Sequence, residues 1–84
     1  MTDSDWVVIA DEAPSVESLT AYDEAHMAIY LRLLDANAEG ASEQDMARLI
    51  LGIDPDKDLG RALRAVASHL RRARWMSERG YQRL

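Results

Sequence analysis

Seven of the chain's nine arginines fall between Arg61 and Arg83, and Trp75 lies among them. A guanidinium neutralises phosphate and releases its counterions, so an arginine-rich segment with an aromatic residue suggests nucleic-acid or protein recognition. The same arginines can instead pair with the chain's own acids, and both readings stand at this point. The remaining residue types offer little for catalysis. His26 and His69 each have apolar neighbours, cysteine is absent, and no Ser/His/Asp or Cys/His spacing or phosphate loop occurs. Asp54-Pro-Asp56-Lys-Asp58 imitates the opening of a calcium loop. Leu59, however, takes the position that needs Gly, and Ala65 the position that needs a bidentate Glu. Capping of the following helix by Asp58 explains these acids better. The expectation is a binding module with no catalytic residues, no metal and no cofactor.

Charge is divided along the 84 residues. Residues 1–56 carry thirteen Asp/Glu against Arg32 and Arg48, and residues 57–84 carry eight basic residues against Asp58 and Glu78. The net charge of -5 therefore covers a dipolar chain. Asymmetry of this kind marks nucleic-acid contact or an acidic tail that modulates it. The N-terminus has no basic region, and its apolar run Trp6–Ala10 is too short for a signal peptide or a membrane span. With no cysteine, this fits a cytoplasmic chain.

The elements that must position these residues read as all-α. Residues 1–18 form a flexible acidic tail containing a β-like run, Trp6-Val-Val-Ile9, and residues 19–84 form a small three-helix domain. Thr20-x-x-Asp23 has capping-box spacing and opens a helix that runs to about Ala36. Ser42 opens a second helix that ends at Gly52. A third runs from about Leu59 toward Glu78, with Gly80 as its stop, and is long enough for a bend or break near Ser68–Arg72. Short helix, turn and longer basic helix form a helix-turn-helix variant with an extended turn.

Helical projection puts Leu59, Leu63, Val66, Leu70 and Ala73 toward the core. It puts Arg61, Arg64, Ser68, Arg71, Arg72, Trp75 and Arg79 opposite them. On the first helix, Tyr22, His26, Ile29 and Leu33 make one apolar stripe, and Met27, Leu31 and Leu34 make a second. This is wider than one packing face requires. The second stripe is either a docking surface or the seat of the Trp6–Ile9 run.

Several blocks carry a resemblance: Leu19-Thr-Ala-Tyr-Asp-Glu-Ala-His26, Tyr30-Leu-Arg-Leu-Leu-Asp35, Gly40, Ile50-Leu-Gly-Ile-Asp-Pro55, Ser68-His-Leu-Arg-Arg-Ala-Arg-Trp-Met76 and Gly80-Tyr81. Over about residues 7–84 the chain resembles a proteobacterial domain family carried on integrative and conjugative elements. That family includes the DNA-binding domain of RovC-type regulators and the QseM-type antiactivators. The resemblance implies a helix-turn-helix with an extended turn. In activator members the module follows a separate N-terminal domain, turns its basic face to DNA and packs its other side on that domain. The matching basic positions here are Arg61, Arg64, Arg71 and Arg72. The chain departs from the activator pattern in its acidity and is expected to stand without a preceding domain, and in this it is similar to the QseM-type members.

The reading that follows is an antiactivator, expected to be monomeric. It would bind the N-terminal domain of a related transcriptional activator and block excision and transfer genes of a mobile element, with a LuxR-type quorum-sensing regulator as a further candidate partner. Trp6, Val8, Met27, Leu31, Leu34 and Trp75 are the expected partner-binding residues. The alternative is a DNA-binding regulator using the third helix. A third reading makes the acidic tail a DNA mimic.

Overall fold

The computed structural model describes residues 9–78, and within them the chain is all-helical. The capping box at Thr20 forms as its spacing predicts. The Asp23 N–H donates to Thr20 Oγ1 at 3.1 Å, and the Thr20 N–H donates to Asp23 Oδ2 at 2.9 Å. Helix α1 (Ala21–Ala25) is nevertheless short, and α2 (Met27–Ala38) begins after His26. The single first helix expected from the sequence is therefore two. His26 leaves helical geometry (φ -115°, ψ 19°) because its ring is held locally. Nδ1 donates to the Tyr22 carbonyl at 2.7 Å, and the ring stacks on Tyr22 at 3.8 Å.

Gly40, at φ +83°, lets the chain turn after α2 in a left-handed conformation that suits glycine. Ser42 then caps α3 (Glu43–Met46) by accepting from the Asp45 N–H at 3.0 Å. The expected second helix continues not as α-helix but as a π-helical turn, Ala47–Leu51. It stops at left-handed Gly52, where the Ile53 N–H donates to the Ala47 carbonyl at 2.9 Å. This wider winding sets Ala47, Leu51 and Ile53 against one core. The Asp-rich turn serves the backbone: Asp54 accepts from the Asp56 N–H, and Asp58 accepts from the Arg61 N–H at 3.1 Å.

Helix α4 (Leu59–Glu78) runs through Ser68–Arg72 without the break its length allowed. The side chains of Ser68 and His69 both turn back onto the Ala65 carbonyl while the helix continues past them. The face α4 buries differs from the leucine arc expected of it. Ala62, Ala65, Val66, Leu70, Ala73 and Met76 are buried, whereas Leu59 is 47 % exposed and Leu63 is half-buried. Alanine at 62 and 65 lets α4 sit close to α2 and the π-turn, which moves the contact line off the larger leucines. The main core joins these residues to Leu33, Met46, Leu51 and Ile53. A second cluster, Tyr30, Ala73 and Met76, lies where α2 meets the C-terminal half of α4.

A polar network centred on Asp23 lies inside this apolar framework. Arg72 grips Asp23 with both ends of its fork, Nε to Oδ1 at 3.0 Å and Nη2 to Oδ2 at 2.6 Å. The Tyr30 hydroxyl also donates to Oδ1, at 2.7 Å. Asp23 is 0 % exposed and Arg72 is 4 % exposed. Removing one partner strands a buried charge, which costs about 3–5 kcal/mol. Asp23→Ala is expected to lower unfolding free energy by about 3 kcal/mol or more in urea titration. Asp45→Ala breaks only the exposed Arg48–Asp45 pair at 3.6 Å, and should shift the same curve by under about 1 kcal/mol.

Candidate functional site

Residues 9–18 run along α4 and decide what its arginine face presents. Ile9 packs on the main core, and the Ala10 N–H donates to the Tyr22 hydroxyl at 3.0 Å. Tyr22 in turn hydrogen-bonds His69 Nε2. Asp11 sits on Arg61, with Nε donating to Oδ1 at 2.7 Å, and the Ala13 N–H donates to Ser68 Oγ at 3.0 Å. Arg72 then takes the carbonyls of Val16 at 2.6 Å and Ser18 at 2.8 Å. The steps onto Arg61, Ser68 and Arg72 fall on residues that projection had placed on the solvent side of the helix. Ser68 and Arg72 are buried because another part of the same chain lies on them.

The four candidate DNA-facing arginines therefore separate. Arg72 does not face solvent: its donors are used on Asp23 and two carbonyls, and the Asp23 carboxylate raises its pKa. Arg61 is partly exposed and occupied by Asp11, which likewise raises its pKa. Arg64 and Arg71 are exposed and make no ion pair among the described residues. Arg74, not singled out from the sequence, is exposed beside them. At 100° per residue, Arg64, Arg71 and Arg74 fall within an arc of about 80° that also holds Gly60 and Ala67. The spacing i, i+7, i+10 was the available signal.

The expected docking residues lie elsewhere. Met27, Leu31 and Leu34 line one wall of an open, mostly apolar groove of about 350 Å³, with Tyr30, Ala73, Met76 and Ser77 completing it. Leu31 is 61 % exposed, as a surface contact residue would be. Trp75 is half-buried against the edge of the second cluster and lies under the Arg72 guanidinium, 4.0 Å from the ring centroid. Its exposed side borders a smaller hollow with Pro14, Ser15 and Arg71. Trp75 is thus not part of the groove lining. Trp6 and Val8 lie outside the described residues, as does most of the β-like run.

A helical domain with an extended turn before a basic helix is the architecture of a DNA-binding transcription-factor module. The chain matches, over residues 6–84, the family model RovC_DNA-bd, described as "T6SS, Transcription factor, DNA binding domain". It belongs to this family, the one its sequence blocks resemble. No curated protein matches the chain.

The histidine beneath the N-terminal segment sets a pH response. His69 Nδ1 donates to the Ala65 carbonyl at 2.7 Å, so the neutral ring accepts at Nε2 from Tyr22. Burial, with His26 nearby, outweighs the Ala65 bond and lowers the His69 pKa. The unfolded chain then binds more protons than the folded one as pH falls below about 6.5, so stability declines on that side. Asp23 acts in a second window. Burial raises its pKa, but Arg72, Tyr30 and Thr20 overcome this and bring it down to about 2. Its contribution is complete above about pH 4 and is lost toward pH 2. Melting temperature is expected to fall between about pH 7 and 5, and His69→Gln to flatten that limb while leaving the steeper loss below about pH 4.

Proposed function

We propose that the chain is a cytoplasmic antiactivator of transcription, a QseM-type member of this DNA-binding-domain family. It occupies the N-terminal domain of a related transcriptional activator in place of that activator's own module. Genes for excision and transfer of a mobile element then fail to start. The observation that carries this reading is the division of surfaces. Of four candidate phosphate-binding arginines, one is buried on Asp23 and one is tied to Asp11. Meanwhile the groove lined by Met27, Leu31 and Leu34 stands open. A net charge of -5 further opposes approach to DNA at long range. An open apolar groove on a chain of net negative charge suits a protein partner better than a phosphate backbone.

A specific observation also favours direct DNA binding: Arg64, Arg71 and Arg74 share one exposed arc on the helix that would enter a groove of DNA. Anisotropy of labelled promoter DNA at low and physiological salt separates the two readings. Sequence-specific binding that survives physiological salt and is lost in Arg64→Glu/Arg71→Glu would establish the DNA reader and sink the antiactivator reading.

For the antiactivator, the partner assay is calorimetry against the isolated N-terminal domain of an activator whose own DNA-binding module belongs to this family. Leu31→Asp should weaken that binding by about 2 kcal/mol, roughly 30-fold. Because Leu31 is largely exposed, the melting temperature should stay nearly unchanged. Unchanged affinity in a folded Leu31→Asp variant removes the groove from the interface.

A further inference from the structure

The N-terminal segment has two kinds of anchor on α4, and they differ in strength. Its inner anchor is buried: Arg72 holds the Val16 and Ser18 carbonyls while paired with Asp23. Its outer anchor is wet. Both the Arg61 and Asp11 side chains are substantially solvent-exposed, and the next link is a single bond from the Ala13 N–H to Ser68 Oγ. Exposed ion pairs are weak and are screened by salt, so the Asp11–Ala13 end can lift while the Val16–Ser18 end stays down.

We propose that residues 11–18 are an intramolecular strap that competes with nucleic-acid phosphate for α4, with the Asp11 carboxylate standing where a phosphate oxygen would sit on Arg61. The chemistry matches, since an Arg side chain donates to a carboxylate oxygen and to a phosphate oxygen in the same geometry. The placement matches as well. Arg61 precedes Arg64 by one turn, so a lifted strap extends the Arg64, Arg71 and Arg74 stripe to about 20 Å along the helix. Ser68, freed of Ala13, adds a hydroxyl between the arginines. Besides Asp11, Glu12 and Glu17 place further acid within the strap, and like charge opposes the approach of phosphate. The inference uses the family's DNA-binding class and does not depend on the antiactivator reading. The strap residues are absent from the groove, so the Leu31→Asp assay and the test below fail independently.

The test is anisotropy of a fluorescein-labelled 20-base-pair duplex at low salt with the full chain. Asp11→Asn frees Arg61, while Glu39→Gln, at an exposed residue just past α2, makes the same charge change outside the strap. Asp11→Asn should bind roughly 3- to 10-fold tighter than the parent chain, with a log–log salt slope steeper by about one. Glu39→Gln should move affinity less than about twofold, and Asp11→Asn/Arg61→Ala should lose the gain. Thermal melts of each variant confirm that the fold is retained, as expected for exposed side chains. Equal gains from Asp11→Asn and Glu39→Gln would reduce the effect to net charge and overturn the proposal. A gain that survives Arg61→Ala would overturn it too, and so would the absence of duplex binding by every variant at low salt.

Discussion

The Asp23–Arg72 pair is the contact on which the other features depend. It joins the capping box of α1 to the middle of α4, and through the remaining donors of Arg72 it fixes the chain entering α1. A buried ion pair is weak evidence for stability in itself, because desolvation opposes the Coulomb attraction. Here the surroundings supply what such a pair needs. Oδ1 accepts from Tyr30 and Arg72, Oδ2 accepts from Thr20 and Arg72, and no buried side-chain polar atom lacks a partner among the described residues. Each of these bonds is directional, so together they specify how α1, α4 and the N-terminal segment meet. That specification matters in a chain with no disulfide, where burial and helix packing must hold the fold.

The same contact explains the charge pattern. An acidic N-terminal part and a basic C-terminal part are brought together within one domain: Asp11 meets Arg61, and Asp23 meets Arg72. Only part of the positive charge on α4 is therefore available to an outside partner, namely the arc of Arg64, Arg71 and Arg74. The Tyr22–His69 link lies beside this seam and carries the Ala10 N–H. Protonation of His69 would remove the acceptor that Tyr22 uses, so the pH response and the seating of the N-terminal segment share one hydrogen-bonded chain.

Much of this was legible in the sequence, and most of what was not rests on contacts distant in sequence. Helix starts were readable because Thr20, Ser42 and Asp58 act on backbone amides within three residues. Helix stops at Gly40 and Gly52 were readable because a left-handed residue favours glycine. The Met27, Leu31 and Leu34 stripe was readable from periodicity, and it lines the groove. Contacts distant in sequence were not readable. Projection takes a polar residue opposite the leucines to be solvated, and that fails for Ser68 and Arg72 because residues 13–18 return across them. The break at His26 was hidden for another reason: Tyr22 and His26 have ordinary helical spacing, and only the ring's bond to a carbonyl departs from it.

Ion pairing within the domain limits how much of the positive charge on α4 a phosphate could reach. In a module that binds DNA, arginines of the basic helix gain more from phosphate than from the protein. An acidic segment returning over the helix raises the free energy of the bound state by the contacts phosphate must displace. Arg72 cannot be released without stranding Asp23 in an apolar site, so it is committed to the fold. Arg61 can be released, because its carboxylate partner is exposed and would return to water at little cost. Family membership describes the scaffold, and within it these two arginines are held by different means. One is fixed by burial and one is held by an exposed pair, and the apolar groove adjoins the first, because its lining residue Tyr30 donates to Asp23.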